Sequence, residues 1–199
     1  GETVALTFKH LMHRLVVNLI AGEGMEGVDL SSALINSATK DNAPTMFASV
    51  EVNLLTGEVN YGSATGAVAF SNEGSGYADW KVAPQDLTAG EEWLKITVSK
   101  DGNEDVWYYH VPADLNTAEP GNQTRLESGK RLTLNLTLKK NQQTGKTEVE
   151  LTASEISGWG DGGTITDEVT IGGAASGVTT YEALLEALKT GGDAMVSIS

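Results

Sequence analysis

Leu132-Thr133-Leu134-Asn135-Leu136-Thr137-Leu138 alternates apolar and polar without a fault. A period of two is what a β-strand with one buried face requires, because successive side chains leave a pleated backbone on opposite sides. Working outward, Asn141 to Gly145 reads as a turn, and Val149, Leu151 and Ala153 continue the alternation, so the two runs predict a hairpin. A second hairpin joins Trp93 to Val98 with Val106 to Val111 through Asp101-Gly102-Asn103. A third runs from Val50, Val52 and Leu54 through Thr56-Gly57 into Val59 and Tyr61. Frequent β-branched residues and 23 glycines between short alternating runs complete the pattern of an all-β sandwich.

The opening segment changes parity. Val4, Leu6 and Phe8 share one face, whereas Leu15, Val17 and Leu19 fall on the other. A slip of one residue would turn every later side chain to the wrong side, so a β-bulge or short break is expected between Lys9 and His13.

Beyond Trp159 the character shifts. Gly160 to Gly163 and Gly172 to Gly177 are small-residue stretches that read as linker. The expected organisation is a sandwich over 1–160, a Gly-rich linker over 161–178, and a helix plus strand over 179–199. In the last part Tyr181, Leu184, Leu185 and Leu188 fall at helical spacing behind a Thr cap, with Gly191 closing the turn. Helix, Gly-Gly and strand in that order resemble the entry cap of a right-handed parallel β-helix. That resemblance implies a longer natural protein in which this chain is an attachment domain.

The balance of charge is acidic, 13 Lys and Arg against 27 Asp and Glu for a net −14. Such a surface repels phosphate backbones and anionic bilayers, which argues against a nucleic-acid partner. There is no cysteine, hence no disulfide framework and no thiolate nucleophile. Every apolar run falls short of the roughly 20 residues that span a bilayer as a helix. The chain opens Gly1-Glu2-Thr3 without a basic or apolar leader, and a leading glycine suggests a trimmed chain.

Several constellations have spacings that touch on known chemistry. His10 and His13 lie three apart, which on a strand puts them on opposite faces with no third ligand nearby, so no metal site is assigned. Gly145-Lys146-Thr147 resembles the end of a phosphate loop, but Lys140 stands where a glycine is required. Asp101, Asn103 and Asp105 mimic the start of a calcium loop, but Val106 and Pro112 stand where Gly and Glu belong. No nucleophile elbow occurs, and plentiful carboxylates do not by themselves define a glycosidase pair. No catalytic residue, cofactor site or metal site is expected. Trp80, Trp93, Trp107, Tyr108, Tyr109 and Trp159 could supply a sugar-stacking platform. Since Trp107 and Tyr109 share one face and Tyr108 takes the other, Trp107 and Tyr108 are the candidate glycan contacts of a carbohydrate-binding alternative.

Four strings resemble a known family. Val4 to Leu19 looks like the L-x-F-x-H-x-x-x-[KR]-L segment of the Bacteroides-type fimbrillins, which are surface and pilus proteins. Val82-Ala83-Pro84-Gln85 resembles the family's P-Q step, Leu126 to Lys130 its glycine step before a leucine-alternating strand, and Ile156-Ser157-Gly158-Trp159 its closing I-x-x-W. The resemblance implies an antiparallel, transthyretin-like β-sandwich, the second of two such domains. It further implies a cell-surface or outer-membrane location through an N-terminal lipid anchor absent from this chain. Partners would be other fimbrial subunits or host and bacterial surface ligands, met in part by strand donation. Phe8, His10 and Trp159 are expected to fix the sandwich rather than to touch a ligand.

Overall fold

The structure, a computed structural model, describes residues 10–159 except 42, 54, 57, 62–68, 101 and 122. The chain divides into two compact units, one of His10–Glu51 with Val59–Gly160, the other of Gly1–Lys9, Val52–Glu58 and Asp161–Ser199. In the second unit the described part is the turn in which the Asn53 amide donates to the Glu58 carbonyl at 2.8 Å and the Asn53 side chain accepts from the Leu55 and Thr56 amides. The expected linker over 161–178, and the helix and strand over 179–199 with their β-helix resemblance, lie outside the described residues.

The leucine-alternating stretch forms the centre of β12 (Lys130–Lys140). Leu132, Leu134, Leu136 and Leu138 are all sealed from solvent, and each such side chain contributes about 1.5–3 kcal/mol by leaving water. The predicted hairpin carries β12 into β13 (Thr147–Gly158) through a turn closed by Gly145 N–H donating to the Asn141 carbonyl. Gly145 takes φ 71° there, a left-handed conformation that costs glycine least. The alternation on β13 does not continue through Ala153 as expected. A bulge opposite Asn135 and Leu136 reverses parity, so Val149 and Leu151 face the core on one side of it and Ser154 and Ile156 on the other, leaving Ala153 exposed.

On its other side β12 pairs with β1 (His13–Ala21), in parallel, with Leu15 beside Leu132 and Val17 beside Leu134. β7 (Tyr77–Val82) runs antiparallel to β1 and closes a sheet of order β13-β12-β1-β7. This corrects the antiparallel expectation: the main sheet is mixed. Hairpins enforce antiparallel neighbours, but β1 and β12 are joined by no turn, and a long connection lets two strands meet in the same direction.

The second sheet, of order β10-β9-β2, contains β2 (Leu34–Ser37), β9 (Glu92–Lys100) and β10 (Asn103–His110), and here the predicted hairpin holds register through Trp107 opposite Ile96. Short pairs complete the strands: β3 (Thr39–Lys40) with β4 (Ala43–Pro44), β5 (Val50–Val52) with β6 (Val59–Tyr61), and β8 (Gln85–Asp86) with β11 (Arg125–Leu126). The β5–β6 pair corresponds to the third predicted hairpin. Among the described residues no helix occurs, and none is therefore long and apolar enough to cross a membrane.

One core lies between the two main sheets, built from Leu15, Val17, Trp80 and the β12 leucines on one side and Ile35, Trp93, Ile96 and Trp107 on the other. Trp107 Nε1–H donates to the Lys139 carbonyl at 2.8 Å, Lys140 Nζ pairs with Asp105 at 2.5 Å, and the Thr147 hydroxyl donates to the Val106 carbonyl at 2.9 Å. These three contacts tie β10 to the β12–β13 hairpin at one end. The result is a β-sandwich.

β1 begins at His13, and the chain from His10 to Met12 is not strand. The expected change of parity between Lys9 and His13 involves Val4, Leu6 and Phe8, which lie outside the described residues. His13 is fully buried and its Nδ1–H donates to the Glu127 carbonyl at 2.8 Å, leaving Nε2 buried without a partner. Burial holds the imidazole below its ordinary pKa of 6.5, and the Glu127 contacts only partly oppose this. As pH falls below 6.5 the unfolded chain takes up a proton that the native one resists, so stability declines until the native His13 itself titrates. Denaturant melts across that range should show this loss in the native chain. A flatter profile is expected for His13→Asn, whose amide can replace the Nδ1 donor.

Candidate functional site

The described parts of the four family-like segments occupy structural positions in the fold. His10 stacks on Trp159 with ring centroids 4.1 Å apart and planes 9° off parallel, which brings the opening and closing landmarks together. Gly129 joins them: its N–H donates to the Met12 carbonyl at 3.0 Å, and its own carbonyl accepts from Trp159 N–H at 2.9 Å. Gly129 adopts φ +70°, so the glycine of this step is needed for backbone reasons. Gln85 is buried and bonds both ways to the Phe47 backbone, at 3.1 Å from its N–H and 3.3 Å to its carbonyl, with a third bond of 2.7 Å to the Ala83 carbonyl. These residues hold segment ends to the sandwich, Gln85 with both polar atoms of its side chain, Gly129 through its backbone, and His10 and Trp159 through their stacked rings.

The aromatic residues divide as strand parity dictates. Trp107 is 0% exposed, packed in the core with its indole N–H bonded to Lys139, so as a glycan contact it is corrected: no face of its ring reaches solvent. Tyr108 is 47% exposed on the opposite side of β10. Trp93 and Tyr109 are buried against each other with centroids 6.2 Å apart, and Trp80 packs on Phe70 at 5.3 Å. Burial pushes the Tyr109 phenol well above its ordinary pKa, and its hydroxyl has no partner. The six aromatics do not form one platform.

The remaining polar constellations separate as well. His10 lies against Trp159 and His13 against the Glu127 backbone. Asp105 pairs with Lys140. Among the described residues no group of three or more His, Asp or Glu side chains converges where a metal ion could sit.

What sequence reasoning missed lies on the outward face of the β13-β12-β1-β7 sheet. Register sets three ranks across it. Lys81, Arg14, Arg131 and Ser157 form the first, Asp79, Val16, Thr133 and Glu155 the second, and Tyr77, Asn18, Asn135 and Ala153 the third. Small side chains at Thr133 and Ala153 leave a depression, and a groove of about 610 Å³ runs over them. Arg14 holds Asp79 through two bonds, of 2.9 and 2.7 Å, and the guanidinium draws the Asp79 carboxyl below its ordinary pKa. Asn18 Nδ2 donates to Asn135 Oδ1 at 3.0 Å. No local pattern foretells this grouping, because it depends on which strands become neighbours.

Fold and landmarks together define a β-sandwich domain whose distinctive residues serve architecture. Compared with known families, residues 1–159 match the fimbrillin-like family model, and the chain belongs to that family. Among solved structures it is similar to a candidate cell-adhesion protein of Bacteroides uniformis, at 16% identity with a TM-score of 0.48, covering 79% of this chain and 54% of that one. It is also similar to such proteins of Bacteroides ovatus, at 19% identity and 0.42 over 74% and 45%, and of Bacteroides fragilis, at 15% and 0.40 over 74% and 47%. The chain thus spans about half the length of these structures. No curated protein matches.

The division of aromatics is directly testable. Trp107→Ala should cost about 3–5 kcal/mol of unfolding free energy, the range for emptying a large core site, whereas Tyr108→Ala should change it by about 0.5 kcal/mol or less. Urea melts of the two variants beside the parent chain decide it.

Proposed function

We propose that this chain is a non-enzymatic domain of a fimbria- or adhesion-related protein on the surface of a Bacteroides-like bacterium, working through contacts with sibling subunits or surface ligands. Family membership over 1–159 is the observation that carries this reading. The structural use of the family-like residues supports it, since His10, Gln85, Gly129 and Trp159 all make contacts within the sandwich. Export by a lipoprotein route, attachment at the outer membrane and a transthyretin-like arrangement of strands belong to the same proposal.

Strand donation would require an open sheet edge. β13 is capped at Ser154, where the Thr117 hydroxyl accepts from the Ser154 N–H at 2.8 Å and donates to its carbonyl at 2.9 Å. β2 is covered by Phe70 to Asn72, through Ser37 N–H to the Phe70 carbonyl at 2.8 Å and Asn72 N–H to the Ile35 carbonyl at 3.1 Å. β10, at the far edge of the three-stranded sheet, is held at its Val106 carbonyl by the Thr147 hydroxyl, and the rest of its length is what we assign to pairing with a donated segment.

The purified chain should form a stable complex with a purified sibling fimbrillin subunit, and cross-links from cysteines placed along β10 should map that contact. A panel of glycoside, ester and peptide substrates should show no turnover. Reproducible turnover of any of them, abolished by one carboxylate substitution, would overthrow the proposal.

A further inference from the structure

The groove on the outward face of the four-stranded sheet contains an arginine in an unusual state. The chain has three arginines, at 14, 125 and 131. Arg14 is paired with Asp79 and Arg125 with Asp86, each at 2.7 Å. Arg131 makes no ion pair among the described residues, and its Nε lies out of reach of water with no hydrogen-bond partner. Carboxylates outnumber cations by 27 to 13 in this chain. An arginine left unmatched in such company, with one donor already dehydrated, is arranged for an acceptor that comes from outside.

The surroundings indicate what kind of acceptor. Arg14 is committed to Asp79, so the end of the groove offers one free guanidinium fork, and one fork matches the two coplanar oxygens of a carboxylate. Two ranks away, the bond from Asn18 Nδ2 to Asn135 Oδ1 leaves Asn18 Oδ1 as an acceptor and the Asn135 Nδ2 hydrogens as donors, side by side. Hydroxyls, which both give and accept, satisfy such a pair. Tyr77, 44% exposed on the outer strand, presents an aromatic ring beside them, and Thr133 and Ala153 keep the floor low. The volume of about 610 Å³ lies within the ordinary range of small-ligand sites.

We infer that this groove binds an acidic saccharide, with the carboxylate of a uronate-type pyranose on Arg131, its hydroxyls on Asn18 and Asn135, and its apolar face against Tyr77. An acidic peptide fits less well. The groove lies on a sheet face, where backbone N–H and C=O groups are held in the strand ladder, and at the β13 rim the Ser154 N–H and C=O are taken by Thr117. Glu155 also lines the groove and opposes an anion, so it weakens binding without abolishing it.

The inference deepens the adhesion reading and rests on it for what the surface holds, but its test uses the isolated chain, so its failure would leave association with sibling subunits untouched. Trigalacturonate, its methyl ester and triglutamate are titrated while backbone amide chemical shifts are followed. Trigalacturonate should shift amides of β1, β12 and β13 around Arg131 and Asn135. Arg131→Met should weaken that binding by about tenfold or more, the scale of a lost charge-assisted fork. Because Arg131 Nε has no partner to lose, the same variant should keep or raise the thermal midpoint. Glu155→Gln should tighten binding by about two- to fivefold, the scale of an exposed charge pair. Equal binding of the methyl ester, the same shifts with triglutamate, or undiminished binding by Arg131→Met would each overturn the inference. A lowered midpoint in Arg131→Met with binding intact would assign Arg131 a purely structural role.

Discussion

β1 and β12 lie side by side in parallel although Asn18 and Asn135, which meet across them, are 117 positions apart. That pairing sets Leu15 beside Leu132 and Val17 beside Leu134, and so turns two separate apolar stripes into one buried surface. β13 and β7 then attach to either side of this pair, and the β10-β9-β2 sheet covers the leucines from above. A shift of one residue between β1 and β12 would place Arg14, Val16 and Asn18 over the core and expel Leu15 and Val17. The whole sandwich therefore depends on one long-range register.

Both ends of that register are secured by polar contacts. At one end His13 bonds to Glu127, and Gly129 links Met12 to Trp159 while His10 stacks on the indole. At the other, Trp107, Lys140 and Thr147 join β10 to the β12–β13 hairpin. Desolvated hydrogen bonds of this kind add modestly to net stability but are costly to leave unmade, which makes them suited to choosing one register over another. The same register that buries the leucines also builds the outward ranks in which Arg14 meets Asp79 and Arg131 stands unmatched. Core and groove are two faces of one pairing.

The legibility of the fold followed the range of the interactions. The hairpins β9–β10 and β12–β13 could be read from alternation and turn residues, since both signals are local. The bulge on β13 could not, because Thr152, the residue left without a partner on β12, differs little from its neighbours. Parity placed Trp107 and Tyr108 on opposite faces, but nothing in the string says which face is covered. The arginines of the groove escaped notice for a related reason: Arg14 and Arg131 become neighbours only when β1 meets β12.

The amino-acid sequence by itself determined the class of fold, the hairpins and membership of the fimbrillin-like family, because pleat parity, turn chemistry and landmark strings are properties of short stretches. Only the tertiary structure decided that the main sheet is mixed, that Trp107 is core while Tyr108 is surface, and that a polar groove forms around Arg131. Those outcomes depend on which distant strands close against each other. That choice is settled by burying every apolar stripe at once while satisfying the backbone, a condition that no single segment carries.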